Sequence, residues 1–210
     1  MAARRRLQLA AVGVLLVAYS LLSHYSNLNP QAQDLGTALA LAPVSLISIV
    51  LLWRIGGVAP AAIATAAAAF LLHHYWSLLT QSFTVLNLIQ QCGFYGILAC
   101  SFAWSLRKGR VPLCTQLADR VHGPLTAQEI RYTRQVTAAW ALFFVGQIMA
   151  TFLVFELAPL RFWSIYVNFC SLPLLLAMFA AELAVRHRVL PTTRHGGLIA
   201  TLRVYFANSN

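Results

Sequence analysis

The chain has 210 residues, of which 60% are hydrophobic and only 10% are charged, and its mean hydropathy is +0.70. Soluble domains carry about 25% charged residues, so this composition excludes an ordinary soluble protein and predicts an integral membrane protein. The net charge of +10 would suggest nucleic acid in a soluble protein. Here no recognition motif accompanies the charge, and the basic residues flank apolar segments, so we predict no nucleic-acid partner.

Apolar stretches of about 20 residues predict six transmembrane helices, an all-α polytopic fold within a single membrane domain over residues 1–210. The predicted spans are residues 7–22, 35–53, 58–76, 83–106, 136–155 and 163–185. The N-terminal stretch begins with arginines and an apolar run, as signal peptides do. It lacks an evident small-x-small cleavage site, so we interpret it as an uncleaved first span.

The distribution of Lys and Arg predicts the orientation. If the N-terminus lies in the cytoplasm and the spans alternate, 14 of the 15 Lys and Arg residues fall in cytoplasmic segments, and Arg161 alone falls outside. The positive-inside rule therefore favours a topology with both termini in the cytoplasm. The largest cytoplasmic segments are a loop, residues 107–135, and a basic tail, residues 186–210, which contains Arg194 and Arg203.

Spans two and three are joined by a short turn, residues 54–57, which contains two glycines. This turn predicts that the two spans pack side by side. Span three is rich in alanine, and small side chains let helices approach closely in lipid. We therefore predict that span three lies at the centre of the helix bundle.

The cytoplasmic loop, residues 107–135, carries the clearest local signals in the sequence. Leu113, Leu117 and Val121 recur every four residues, which predicts a short amphipathic helix over residues 113–122 on the inner membrane surface. Thr126 and Glu129 form a T-x-x-E capping box, which predicts a helix that begins at residue 127 and continues through span five. That helix is longer than a bilayer core, so its first turns should stand out in the cytoplasm.

Polar residues within spans are candidates for a binding site. Asn87, Gln90 and Gln91 share one face of span four through their i, i+3, i+4 spacing. Three more polar residues are predicted at the depth of these amides or nearer the outer surface: Gln147 in span five, Asn168 in span six and His73 at the end of span three. These side chains predict a polar cavity in the outer half of the membrane. The simpler alternative is that they form hydrogen bonds between helices.

The remaining charged residues suggest structural and surface roles. Glu182 and Arg186 are four residues apart in the order that favours an ion pair on a helix. Five basic residues of the loop are candidates for contact with anionic lipid or an acidic partner: Arg107, Lys108, Arg110, Arg131 and Arg134. No hydrolase, metalloprotease or nucleotide-binding motif occurs. We therefore predict no catalytic residue, no metal and no cofactor.

Several motifs in the second half resemble those of a family of multi-pass bacterial inner-membrane proteins for which no activity is established. They are RYTR at 131–134, then Val136–Thr137, Trp140 and Phe143–Phe144, followed by WSIYVN at 163–168, MFAAE at 178–182 and RHR at 186–188. The resemblance covers about residues 83–191, and position 141 is Ala where relatives often have Cys. Genes of this family often lie among those for aryl-polyene and related fatty-acid-like synthesis. The resemblance thus implies that the protein lies in the inner membrane, in a context of acyl chains bound to carrier protein and of lipid products destined for the outer membrane.

Two functional hypotheses follow. The first is a non-enzymatic anchor or assembly subunit that serves lipid or aryl-polyene synthesis or export. Its partners would be membrane lipids, a cytoplasmic acyl carrier protein or biosynthetic enzyme, and other membrane subunits. The second is a small transporter or lipid flippase that uses the polar cavity of spans three to six. An intramembrane transferase is a third alternative, against which the lack of grouped acid–base residues counts.

Overall fold

The computed structural model describes residues 2–190, except for the side chains of residues 2–7, 9, 12 and 122. Within this part of the chain every regular element is helical, which confirms the predicted all-α class. Most of the predicted tail, including Arg194 and Arg203, lies outside the described residues. The elements are α1 (Ala2–Leu28), a 3₁₀ turn (Pro30–Ala32), α2 (Gln33–Gly56), α3 (Val58–His74), α4 (Trp76–Gln81), α5 (Phe83–Ser105), α6 (Leu113–His122), α7 (Ala127–Leu157), α8 (Leu160–Ile165), a π-helical segment (Tyr166–Cys170) and α9 (Ser171–Val189).

Among the described residues, four helical stretches are long and apolar enough to cross a membrane: Pro30–Gly56, Phe83–Ser105, Ala127–Leu157 and Leu160–Val189. They correspond to predicted spans two, four, five and six, and they suggest a membrane protein. Predicted spans one and three correspond to α1 and α3, which are not among these four. The α3 helix has 17 residues, or about 26 Å at 1.5 Å per residue, which is short of a hydrocarbon core of about 30 Å.

The described chain divides into two compact units. The first unit comprises residues 2–92 and Thr151–Ser171, and the second unit comprises Gly93–Ala150 and residues 172–190. Helices α5 and α7 each contribute residues to both units. The prediction of a single membrane domain stays a prediction.

In the first unit, α1 packs closely against α2 at Gly36. A Cβ atom at this position would lie 2.5 Å from Cζ of Phe83 and 2.7 Å from Cβ of Ser26, closer than real Cβ contacts allow. Phe83 and Ser26 are each only 1% exposed. The absence of a side chain at Gly36 therefore permits the close approach, as small residues do between helices in lipid.

The predicted tight turn between spans two and three is confirmed. Gly57 adopts φ +78°, which side-chain-bearing residues rarely adopt, and separates the last residue of α2 from the first residue of α3. The prediction that span three lies at the centre of the bundle is wrong, because Ala61 is the one buried residue of α3. Alanine lets a neighbouring helix approach closely but does not determine how many helices surround it. Helix α3 packs mainly against α2 and the short α4.

The second unit is built around a cluster of aromatic rings from α5 and α7. Tyr95, Trp140 and Phe144 are buried there together with Ala99. The centroid of the Trp140 ring lies 5.6 Å from that of Phe144 and 4.6 Å from that of Phe179 in α9. Such ring pairs add about 0.5–1.5 kcal/mol each beyond the area that they bury. The aromatic cluster therefore holds three helices of this unit together.

The helix boundaries and the helix cap predicted for the loop over residues 107–135 are confirmed. Helix α6 spans Leu113–His122, as predicted, and Gly123 ends it with φ +78°. The capping box is formed, because the N–H and hydroxyl of Thr126 both donate to Oε2 of Glu129 at 2.8 Å, and the N–H of Glu129 donates to Oγ1 of Thr126 at 3.4 Å. Helix α7 then runs for 31 residues through predicted span five.

Candidate functional site

The first unit contains a polar network around the π-helical segment. The amide of Gln91 in α5 donates to the hydroxyl of Ser171 at 3.4 Å, and that hydroxyl donates to the carbonyl of Tyr166 at 3.2 Å. The N–H of Ser171 also bonds the Tyr166 carbonyl, which is the i to i−5 pattern of a π-helix. Pro173 follows two residues later and has no N–H to donate to the preceding turn. Segments of this type occur frequently at functional sites.

A second part of the network joins α1 to the same region. Nδ1 of His24 lies 2.8 Å from Oγ of Ser164, and Nδ2 of Asn168 donates to the carbonyl oxygen of Ser164 at 2.9 Å and to Oγ at 3.3 Å. Ser164 is completely buried. His24 was not among the residues predicted for the polar cavity. Its partner is 140 residues away in the chain, so no local pattern could have identified the pair.

The predicted cavity residues are only partly brought together. Gln90, Gln91 and Asn168 all belong to the first unit and all donate hydrogen bonds, Gln90 to the carbonyl of Ala40 at 2.9 Å. Asn87 is buried in the same unit. Gln147 is buried in the second unit, whereas His73 is exposed at the end of α3. The amides of Gln90 and Gln91 therefore match the simpler alternative, hydrogen bonding between helices, whereas the amide of Asn168 bonds within its own helical stretch.

The first unit also buries polar atoms that find no hydrogen-bond partner among the described residues. They belong to Ser26, Asn27, Thr37, Thr151 and Trp163. Each of these side chains is at most 7% exposed. An unsatisfied buried polar group costs about 1–3 kcal/mol. This set was not predicted, because isolated polar groups give no periodic signal in the sequence.

In the second unit, a tight turn brings two basic side chains to one indole. The N–H of Arg110 donates to the carbonyl of Arg107 at 3.2 Å, and Gly109 adopts φ +81° within this turn. The guanidinium carbon of Arg107 lies 3.7 Å from the centroid of the Trp104 ring, and that of Arg110 lies 5.1 Å from it. Both distances are within the range of cation–π attraction. Two positive charges are thus fixed at the end of α5.

Beside this turn lies a cleft of about 620 Å³ between the end of α5 and the start of α6. Its wall includes Trp104, Ser105, Arg110, Val111 and Gln116, and none of the described residues that line it is acidic. The side-chain amide of Gln116 donates to the carbonyl of Val111 at 2.7 Å, and the hydroxyl of Ser105 accepts from the N–H of Leu113 at 3.1 Å. These bonds fix the shape of the wall and leave Arg110 as its charged group.

Hydrogen bonds dock α6 onto the first turns of α7. The N–H of Cys114 donates to the hydroxyl of Thr137 at 3.2 Å, and that hydroxyl donates to the carbonyl of Thr133 at 2.8 Å. The hydroxyls of Thr115 and Thr133 lie 2.7 Å apart. The loop is therefore an ordered structure that packs on α7.

A smaller cavity of about 240 Å³ lies between α6, α7 and α9. Leu117, Val121, Trp140 and Phe179 supply part of its apolar wall, and the lining also contains Cys114. Burial raises the pKa of the Cys114 thiol, and the charge of Glu182 raises it further, whereas the hydrogen bond with Thr137 lowers it. A reactive cysteine needs a thiolate, so Cys114 is suited to packing and not to nucleophilic attack at neutral pH.

Glu182 has a partner that the sequence did not indicate. The hydroxyl of Tyr132 donates to the backbone carbonyl of Glu182 at 3.1 Å and to its carboxylate at 3.3 Å. Tyr132 is 6% exposed, so this contact fixes α9 against α7 in a nearly dry environment. Arg186 lines the same cavity as Glu182. The predicted Glu182–Arg186 ion pair stays a prediction.

The five basic residues predicted for partner or lipid contact all belong to the second unit, and all are exposed. Arg134 donates from Nη2 to the carbonyl of Leu106 at 3.0 Å.

Among the described residues, no group of three His, Cys, Asp or Glu side chains could hold a metal ion. No protein-family model, curated protein or solved structure matches this chain.

Proposed function

We propose that the protein is a non-enzymatic component of the bacterial inner membrane, an anchor or assembly subunit that serves lipid or aryl-polyene synthesis or export. In this proposal six helices, including α1 and α3, cross the membrane, and both termini face the cytoplasm. The arginine distribution supports that orientation. The family motifs at Arg131–Arg134 and Trp140 support the biosynthetic context.

One observation carries the proposal, which is that the basic loop is ordered. A loop that only oriented the protein in the membrane would need positive charges but no fixed structure. Here Ser105, Thr133 and Thr137 hold α6 in place, and Arg107, Lys108, Arg110, Arg131 and Arg134 are presented on that scaffold. A fixed basic surface suits an acidic cytoplasmic partner, such as a carrier protein, because complementary charge steers association and sets specificity.

The test is co-purification from a gentle detergent extract, followed by mass spectrometry. We expect a cytoplasmic protein at fixed stoichiometry with the wild-type chain and its loss in the double variant Arg131→Glu, Arg134→Glu. The matched control is Arg161→Glu, an exposed arginine that the predicted topology places on the opposite side of the membrane. Retention of the partner by the double variant, or equal loss in the control, would contradict the proposal.

The transporter hypothesis is the second candidate, and the buried polar atoms of the first unit favour it. The buried polar atoms of Ser26, Asn27 and Thr37 have no hydrogen-bond partner among the described residues. Leaving them unpaired costs free energy, which a purely structural bundle would avoid. Against it, Gln90, Gln91 and the other engaged amides are occupied in hydrogen bonds. A single lipid or polyene species retained by the purified protein, without a protein partner, would favour this candidate over the first.

A further inference from the structure

We propose that the cleft beside Trp104 binds the phosphate-bearing headgroup of one anionic glycerophospholipid. This inference rests on the membrane placement in the proposed function and goes beyond it by assigning a site and a ligand class. The cleft has a volume of about 620 Å³, and Arg110 is the charged residue of its wall. The part of the chain that the structure describes contributes no acidic residue to this wall, so the charge of the wall is complementary to an anion.

The turn that precedes α6 concentrates this charge. Arg107 and Arg110 approach the same indole, at 3.7 Å and 5.1 Å from its centroid. Guanidinium groups bind phosphate oxygens through two parallel hydrogen bonds, which makes arginine well suited to headgroups. Gly109 permits the turn through its φ of +81°. The position of the two charges therefore depends on backbone geometry as well as on residue type.

The surroundings of the cleft favour a lipid over a soluble anion. Trp104 lies in the last turn of α5, where the predicted topology places the inner membrane surface, and aromatic rings prefer that level. Along α5, Ile97 and Trp104 are 70% and 47% exposed, and Ser101 lies between them on the same helix face. Val111 adds an apolar wall. Acyl chains can follow this exposed stripe while the phosphate lies at Arg110.

Arg120 is the natural control for this site. It is exposed and belongs to the same unit as Arg110, but it neither lines the cleft nor lies over Trp104. A diffuse attraction between a basic protein and anionic lipid would respond equally to the loss of Arg120 or of Arg110. A built site responds to the loss of Arg110, which lines the cleft, and of Arg107, which lies over Trp104, but not to the loss of Arg120.

The experiment is native mass spectrometry of the purified full chain, titrated with phosphatidylglycerol or with phosphatidylcholine. We expect one phosphatidylglycerol per chain to be retained in preference to phosphatidylcholine. Loss of one basic contact near a membrane surface lowers affinity by about fivefold, so R107Q and R110Q should each show that loss. R120Q should stay within about twofold of the wild type. Equal retention of both lipids, or an equal loss in R120Q, would overturn the assignment.

Two further measurements test whether the turn positions the charges and whether the site binds a lipid or a free anion. Gly109→Ala keeps every charge but strains the turn, so we expect weaker phosphatidylglycerol binding with an unchanged elution volume on size exclusion. Wild-type binding by this variant would overturn the role of the turn. Inorganic phosphate at millimolar concentration should not displace the lipid, and full displacement would show a site for a free anion instead.

The failure of this inference is distinguishable from the failure of the proposed function. The titration uses purified protein without a cytoplasmic partner, whereas the co-purification assay depends on Arg131 and Arg134. Loss of lipid selectivity with partner retention intact would overturn the lipid site alone.

Discussion

Two threonines show how the units of this protein differ. Thr37 in the first unit and Thr137 in the second are both fully buried. The hydroxyl of Thr137 accepts from Cys114 and donates to Thr133, whereas that of Thr37 has no partner among the described residues. Among the described residues, every buried side-chain polar atom without a partner belongs to the first unit and none to the second. The first unit holds polar groups at a cost, which is expected where a sequence is not optimised for stability alone.

The largest expected effect tests whether the second unit depends on its aromatic core. Trp140→Ala removes the ring that packs against Phe144 and Phe179 and should lower the free energy of unfolding by about 3–5 kcal/mol. Chemical unfolding in detergent measures this change. Trp53→Ala is the control, because Trp53 is 60% exposed and should matter little. A similar cost for both variants would contradict the importance of the core.

The next effect tests the close helix approach in the first unit. Gly36→Ala places a Cβ against Phe83 and Ser26, and such overpacking costs about 1–3 kcal/mol. Gly93→Ala is the matched control in α5, where a Cβ meets no atom within 4 Å. Alanine favours helix by up to about 1 kcal/mol over glycine, so thermal unfolding should show opposite signs for the two variants. Equal shifts would argue against a tight crossing.

One pair of variants tests the difference between Thr37 and Thr137 directly. Thr137→Val removes a hydroxyl that has two partners and leaves the Cys114 N–H unpaired, so it should destabilise the protein by about 1–3 kcal/mol. Thr37→Val removes a hydroxyl without a partner and should be neutral or stabilising. Both substitutions preserve shape, and urea unfolding compares them directly. If Thr37→Val cost as much as Thr137→Val, the hydroxyl of Thr37 would have a partner in solution.

A smaller effect tests the local order of the loop. Thr126→Ala removes the helix cap of α7 and should cost about 1 kcal/mol. Glu129→Gln retains an oxygen that can reach the N–H of Thr126, since glutamine also completes a capping box. Hydrogen exchange should therefore rise in the first turn of α7 in the alanine variant and change much less in the glutamine variant. The reverse order would contradict the observed cap.

The smallest effect concerns pH. Burial raises the pKa of the Cys114 thiol above that of the unfolded chain. The folded state therefore holds this proton more tightly, and the stability that this provides is lost as pH rises through the folded-state pKa. In a variant that retains Cys114 alone, maleimide labelling should accelerate at a higher pH in the folded protein than after denaturation. Coincident pH profiles would show that the thiol is not buried.

Local signals in the sequence were sufficient for part of this structure. The four-residue spacing of Leu113, Leu117 and Val121 and the Thr126–Glu129 box identified α6 and the start of α7, because each depends on neighbours within one or two helical turns. Hydropathy likewise located the helices. The pairs His24–Ser164 and Tyr132–Glu182 join residues 140 and 50 positions apart, and nothing local encodes such contacts.

The candidate site was less predictable than the fold for the same physical reason. The sequence identified Gln90, Gln91 and Asn168 as polar groups within spans, but it could not decide between a cavity and hydrogen bonds. It also identified Arg107 and Arg110 as exposed cations without showing that Gly109 turns both toward one ring. Alanine content misplaced α3, because composition limits how closely helices can pack but does not determine which helix is the neighbour.

The contact between Arg107 and Trp104 gives the protein an optical reporter. A guanidinium charge 3.7 Å from the centre of an indole imposes a strong electric field on that ring, and a field of this kind shifts the energy of the fluorescent excited state. Any anion that draws Arg107 away from the ring changes that field. The difference between the emission spectra of the wild type and of Trp104→Phe isolates this ring, and the wavelength of that difference would follow the occupancy of the cleft in real time.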